Sequence, residues 1–216
     1  MPPFTGIPYE PFRYRLYTPD ELLRKSSTGL TTDQTIYCDF LSKGKFSPDI
    51  IEALCRRIHD DSIDDALEHL MRTVGRTNFV AFMGGSSGKL TDPFYKRTAL
   101  AARLVALDGY FVVSGGGPGM MEAANLGAYF AKYPEPDLDA ALNVLKRAPT
   151  YSDDGWVTTA LEVKSQFPHG ADSLGIPTWF YGSEPTDLFG TRIAKYFDNS
   201  IRDGGLIQIG KRRLWI

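Results

Sequence analysis

Two glycine-rich runs hold the residues whose types and spacing point to chemistry: Gly84-Gly85-Ser86-Ser87-Gly88 and Ser114-Gly115-Gly116-Gly117-Pro118-Gly119. Glycine lets the backbone come close to a bulky anion, and a strand-to-helix turn aims main-chain N–H groups at it. The helix after each turn adds about half a positive charge at its N-terminus. Ser86, Ser87 and Ser114 can supply hydroxyl donors. Two such turns at successive strand ends of one sheet suit a phosphate group. Met120 opens the second helix, and Glu122 stands in its first turn. There Glu122 either offsets the helix dipole or meets a ribose hydroxyl.

Each turn follows a short apolar run, Phe79-Val80-Ala81-Phe82-Met83 and Tyr110-Phe111-Val112-Val113. Runs of this length, bounded by glycine, predict buried parallel strands. Thr91 or Asp92 caps the helix between them, with Pro93 at its first position and Gly109 beyond its end. After the second turn, Ala123, Ala124, Gly127, Ala128 and Ala131 give a helix face of small residues that can close on the sheet. Leu138 to Leu145 and Trp156 to Gln166 predict two further helices, the latter stopped at Phe167 by Pro168. Ile176 to Tyr181 is expected as a third strand, and Leu188 to Phe197 as an amphipathic helix. Asn199 to Ile209 fits either a strand or a helix end.

Upstream, residues 1–17 are rich in proline and aromatics and predict an extended arm packed on a surface. Short helices are expected from Thr18 or Asp20 through Lys25, and from Thr32 or Asp33 through Leu41. A longer helical stripe runs from Ile50 and is expected to break at Asp60-Asp61-Ser62 before resuming at Ile63. The fold class that follows is α/β: a parallel sheet with flanking helices over residues 76–216, preceded by a helical lobe over residues 1–75. His59 and His69 lie in that lobe and are read as packed or solvated side chains.

Bulk properties narrow the partners. The chain has 216 residues, 43% hydrophobic and 23% charged, with a net charge of −2. That balance gives no electrostatic case for nucleic acid or an anionic membrane. No apolar run approaches a membrane span, and no signal-peptide core opens the chain. Cys38 and Cys55 have no neighbours at metal-ligand spacing, so no metal and no cofactor are expected, in a reducing cytoplasm.

Two familiar phosphate motifs do not fit. A P-loop ending at Gly88-Lys89 would need glycine where Met83 stands and Ser or Thr where Leu90 stands. Gly115, Gly117 and Gly119 are spaced G-x-G-x-G and follow the second strand rather than the first, unlike the dinucleotide fingerprint. A hydride-transferring enzyme is therefore a third reading. The plainest alternative makes both turns tight strand-to-helix corners.

The first glycine run, with Ser114-Gly115-Gly116-Gly117-Pro118-Gly119-Met120-Met121-Glu122-Ala123-Ala124, resembles the Lonely Guy-type family. These are Rossmann-like nucleotide-binding proteins once labelled lysine decarboxylases. The similarity covers about residues 78–209, and the helical lobe with Asp172 to Gly182 resembles the longer bacterial branch of nucleotide 5′-monophosphate nucleosidases. The resemblance implies a nucleoside 5′-monophosphate as the partner and hydrolysis of its N-glycosidic bond to free base and ribose 5-phosphate. The phosphate would sit on Gly84 to Gly88 and Gly115 to Gly119, with Glu122 near the ribose. Glycosidic cleavage needs a carboxylate near the ribose and an arginine or acid at the leaving group. Arg202, in Asn199-Ser200-Ile201-Arg202, resembles the family's arginine. A pyridoxal phosphate site has no lysine to argue for.

The family's second motif, Pro-Gly-Gly-x-Gly-Thr-x-x-Glu, whose glutamate is catalytic, is absent. After Gly210 the sequence reads Lys211-Arg212-Arg213-Leu214-Trp215-Ile216, unlike the expected strand, which suggests a truncation or a change of reading frame. A sheet edge exposing Leu214, Trp215 and Ile216 would favour aggregation unless another chain covers it, so a homo-oligomer is expected. Two readings of function follow: a nucleotide N-glycosidase, or a non-catalytic nucleotide-binding module, which the missing glutamate favours.

Overall fold

Alternating side chains along the first strand decide the layering. In β1 (Phe79–Met83), Phe79 and Ala81 join one core cluster while Val80 and Phe82 join another. Both faces of the strand are thus buried, as a parallel sheet sandwiched between helices requires. The computed structural model of the chain describes residues 6–182, 185–209 and 212–215.

Three helices precede the sheet: α1 (Pro19–Leu23), α2 (Thr32–Ser42) and α3 (Ile50–Val74). Then come β1, α4 (Pro93–Leu107), β2 (Phe111–Ser114), α5 (Met120–Tyr129), α6 (Glu135–Leu145) and α7 (Trp156–Gln166). The remainder is β3 (Leu174–Gly175), β4 (Arg192–Ile193), α8 (Asn199–Ile209) and β5 (Arg212–Trp215). All strands pair in parallel in the order β4-β3-β2-β1-β5, a Rossmann-like arrangement. Met83 is the register partner of Trp215, and Phe82 of Ser114.

One side of the sheet carries the N-terminal segment. Tyr9, Leu16, Ile36, Phe40, Cys55, Ile63 and Leu67 share a single core with Phe79, Ala81, Val113 and Leu174. The opposite side is closed by α4 and α5, whose Ala102, Ala124 and Ala128 meet Val80, Phe82 and Val112. A Cβ at Gly127 would run into the backbone carbonyl of Ala99, so the small-residue face of α5 does let these helices close tightly. Tyr17 closes the β4 edge, exchanging two 2.9 Å hydrogen bonds with Ile193. Among the described residues no helix is long and apolar enough to cross a membrane, and no cluster of His, Cys, Asp or Glu could hold a metal ion.

Several elements differ from the sequence expectation. The helix at residues 50–74 is unbroken, because Asp60 is buried and its carboxylate accepts the Phe197 N–H at 3.0 Å and the Asp198 N–H at 2.8 Å. Ser62 likewise donates to the Pro11 carbonyl at 2.9 Å. Tertiary partners thus satisfy groups that would otherwise compete with the helix backbone. The cap of α2 is Thr31, in a capping box with Gln34, rather than Thr32 or Asp33.

Ile176 to Tyr181 forms no regular strand. Pairing ends at Gly175, and beyond Pro177 only a single bridge joins Thr178 to Tyr196. Leu188 to Phe197 is not helical either. Asp187 accepts the Phe189 and Gly190 N–H groups at 2.9 and 3.3 Å, closing a tight turn that delivers Arg192 and Ile193 to the sheet as β4. Asn199 to Ile209 resolves as helix α8, with Asp198 accepting the Ser200 N–H at 2.8 Å. The backbone at residues 212–215 does pair as a strand with β1. The expected exposure of Leu214, Trp215 and Ile216 concerns side chains outside the described part of the structure, Ile216 lying outside it altogether.

Candidate functional site

The two glycine turns touch. The Met120 N–H donates to the Gly85 carbonyl at 3.2 Å, and a Cβ on Gly119 would stand 2.8 Å from that oxygen and 3.0 Å from the Ser86 carbonyl. Gly119 has φ +76° and forms the N-cap of α5 with no side-chain cap. Only glycine combines that backbone with that closeness. On its other flank, a Cβ on Gly116, at φ +71°, would stand 2.9 Å from the Ile176 nitrogen. The second turn is therefore wedged between the first turn and the Ile176–Pro177 backbone.

This wedge separates the residues singled out by sequence. Gly85, Ser86 and Ser87 are exposed, and Gly84 and Gly88 half-buried. Ser114, Gly115, Gly116, Gly117 and Gly119 are buried. The Ser114 hydroxyl oxygen is committed to the turn itself, accepting from the Gly116 N–H at 3.0 Å and from the Asn125 amide at 2.9 Å. Asn125 also donates to Asp187, so a buried relay runs from the second turn to the loop before β4. The Met120 side chain lies over Gly88, where a Cβ would be 2.6 Å from its methyl group. On that side half-buried Met120 lines an open cleft of about 390 Å³ with Gly85, Ser87, Gly88, Asp92 and Phe94.

On the other side a cavity of about 200 Å³ opens between the turns and the α6–α7 loop. Ser86, Ser87, Lys89, Gly119, Glu122 and Tyr151 line it. Glu122 is only 2% exposed, enclosed by Tyr95 on α4 and Trp156 on α7. Burial, with the Asp187 carboxylate next in importance, pushes Glu122 up to about 8. The Tyr95 and Trp156 side chains oppose that rise. Tyr95 is itself wholly buried, its hydroxyl near Glu122 but without a hydrogen bond of ordinary geometry. Asp187 is raised by burial to about 6, held back by Asn125 and by the Phe189 and Gly190 N–H groups. At neutral pH Glu122 is thus largely a protonated acid, able to donate a hydrogen bond into the cavity.

Arg202 reaches the glycine turns from a different direction. Its Nε donates to the Ile176 carbonyl at 2.8 Å and its Nη2 to the Gly115 carbonyl at 3.3 Å, while Nη1 pairs with Asp203 at 2.9 Å. The guanidinium therefore ties together the chain segments leaving β2 and β3. Glu122 and Arg202 share no contact: one faces the α4–α7 side of the second turn, the other the α8 side.

Sequence reasoning missed Asp187, Asn125, Tyr95, Trp156 and Tyr151. Asn125 and Asp187 are separated by 62 positions, so no local pattern links them. Lys89 was visible only as a failed P-loop lysine, yet it lines the cavity beside Ser87. No protein-family model matches this chain, and no curated protein matches it.

Proposed function

We propose that this chain binds a nucleoside 5′-monophosphate, with the phosphate against the exposed first glycine turn and the ribose toward Glu122. The observation that carries the reading is the contact of Gly119 and Met120 with Gly85, which sets the α5 N-terminus beside Ser86, Ser87 and Lys89. Backbone N–H groups, two hydroxyls and one ammonium form a fitting anion cradle. A volume of about 200 Å³ suits the sugar phosphate and leaves the base outside, beside the half-exposed ring of Tyr151. A protonated Glu122 can donate to a ribose hydroxyl or to the departing base.

The resemblance to nucleotide N-glycosidases makes hydrolysis to free base and ribose 5-phosphate the first form of this reading. The second form, a binding module that releases no base, is favoured by Arg202, whose donors are spent on two carbonyls and Asp203. Incubation with AMP, GMP, CMP and UMP, followed by chromatography for free base, separates the two. Base release supports the hydrolase, calorimetric binding without release supports the module, and the absence of both overturns the proposal. A homo-oligomer covering the β5 edge belongs to the same reading and is checked by sedimentation analysis.

A further inference from the structure

A second cavity lies where the N-terminal helices meet the last part of the fold, and it shares no residue with the glycine turns. It holds about 470 Å³, within the range of small-molecule pockets. Its walls come from the loop after α2 (Lys45, Phe46), from Arg56 and Arg57 on α3, and from Phe180 and the start of α8.

The chemistry of that wall is specific. Phe46 is 86% exposed, yet its ring stands 6.0 Å from that of Phe180 in an edge-on pair, leaving aromatic surface open above the cavity. The Lys45 ammonium is 4.5 Å from the centre of the Phe180 ring and has no carboxylate partner among the described residues. Arg57 pairs with Asp198 at 3.0 Å, and Asp60 is occupied by backbone N–H groups, so both acids of the wall are already engaged. Arg56 is deeply buried and already paired, its Nε with the Glu52 carboxylate at 2.7 Å and its Nη1 with the Gly44 carbonyl at 2.8 Å, so the cation left to a ligand in this wall is Lys45.

We propose that this cavity is a binding site for a small aromatic acid: a flat ring covered by Phe46 and Phe180, and an anionic group drawn to the Lys45 ammonium. Ring burial supplies apolar and stacking energy, and the Lys45 ammonium supplies preference for the acid over its neutral analogue.

The test is calorimetric titration of the full chain with phenyl phosphate, benzoate, inorganic phosphate and benzyl alcohol. At least one of the two aromatic acids is expected to bind about tenfold more tightly than either inorganic phosphate or benzyl alcohol. Lys45→Ala and Phe46→Ala change exposed residues outside the helices, and each is expected to weaken that binding about fivefold or more. Lys25→Ala, at an exposed position lining neither cavity, leaves it unchanged. Equal binding of benzyl alcohol, no saturable binding of either acid, or indifference to both variants overturns the proposal. Binding of either acid that Ser87→Ala abolishes while Lys45→Ala and Phe46→Ala leave it intact belongs to the glycine turns instead and overturns the proposal.

Discussion

Gly119 stands so close to the Gly85 carbonyl that a single added carbon would lie 2.8 Å from the oxygen. This contact fixes the two glycine turns as one unit. Gly119→Ala adds a clash with rigid backbone to a φ of +76°. It is expected to lower stability by about 2 kcal/mol, or about 4–8 °C in Tm, measured by thermal unfolding. Gly85→Ala meets only the Ser87 hydroxyl at 3.9 Å and is expected to change stability by less than about 0.5 kcal/mol. Any loss of AMP affinity in Gly85→Ala therefore reports the anion cradle rather than the fold.

Glu122 makes stability depend on pH. Its folded value of about 8 lies above its ordinary 4.5, so the folded chain holds a proton that the unfolded chain releases. That stabilisation is full below the unfolded value and is lost as pH rises through the folded one. Asp187, raised from 3.8 to about 6, acts with the same sign over a lower window. Urea unfolding at intervals from pH 5 to 8 should show stability falling with pH. Glu122→Gln flattens the curve and is expected to exceed the parent by about 1–3 kcal/mol at pH 8.

Asp60 joins α3 to the residues entering α8. Removing its carboxylate in Asp60→Ala strips acceptors from the Phe197 and Asp198 N–H groups and from buried His59. The expected cost is about 2–4 kcal/mol in urea unfolding. Asp61→Ala, at the exposed neighbouring position, is expected to stay within about 0.5 kcal/mol of the parent.

Arg202 bridges the Ile176 and Gly115 carbonyls through separate nitrogens of one planar group. Lysine cannot span both from a single ammonium. Arg202→Lys is expected to cost about 1–2 kcal/mol and to speed hydrogen exchange at the Gly116 and Ile176 amides.

The legible part of the fold was carried by short-range rules. The apolar runs before each glycine turn, Asp92 with Pro93 at the start of α4, and Phe167 before Pro168 at the end of α7 all stand where local chemistry puts them. The segment from Ile176 to Phe197 was misread because its shape is decided at a distance. Asp187 bends the chain through its own turn while Asn125, from α5, holds its second oxygen. Asp60 was misread for the same reason, since its partners lie more than a hundred positions downstream. At the candidate site the glycines themselves were visible. Their division into an exposed and a buried turn was not, because it depends on Ile176 and Pro177 packing against Gly116.

The exchange between Tyr17 and Ile193 has a consequence for synthesis on the ribosome. Tyr9, Leu16 and Tyr17 are made long before Ile193 and the later strands of the core they dock against. Until then these rings remain wet and available to other sticky surfaces, so the nascent chain is the stage at which a chaperone matters most.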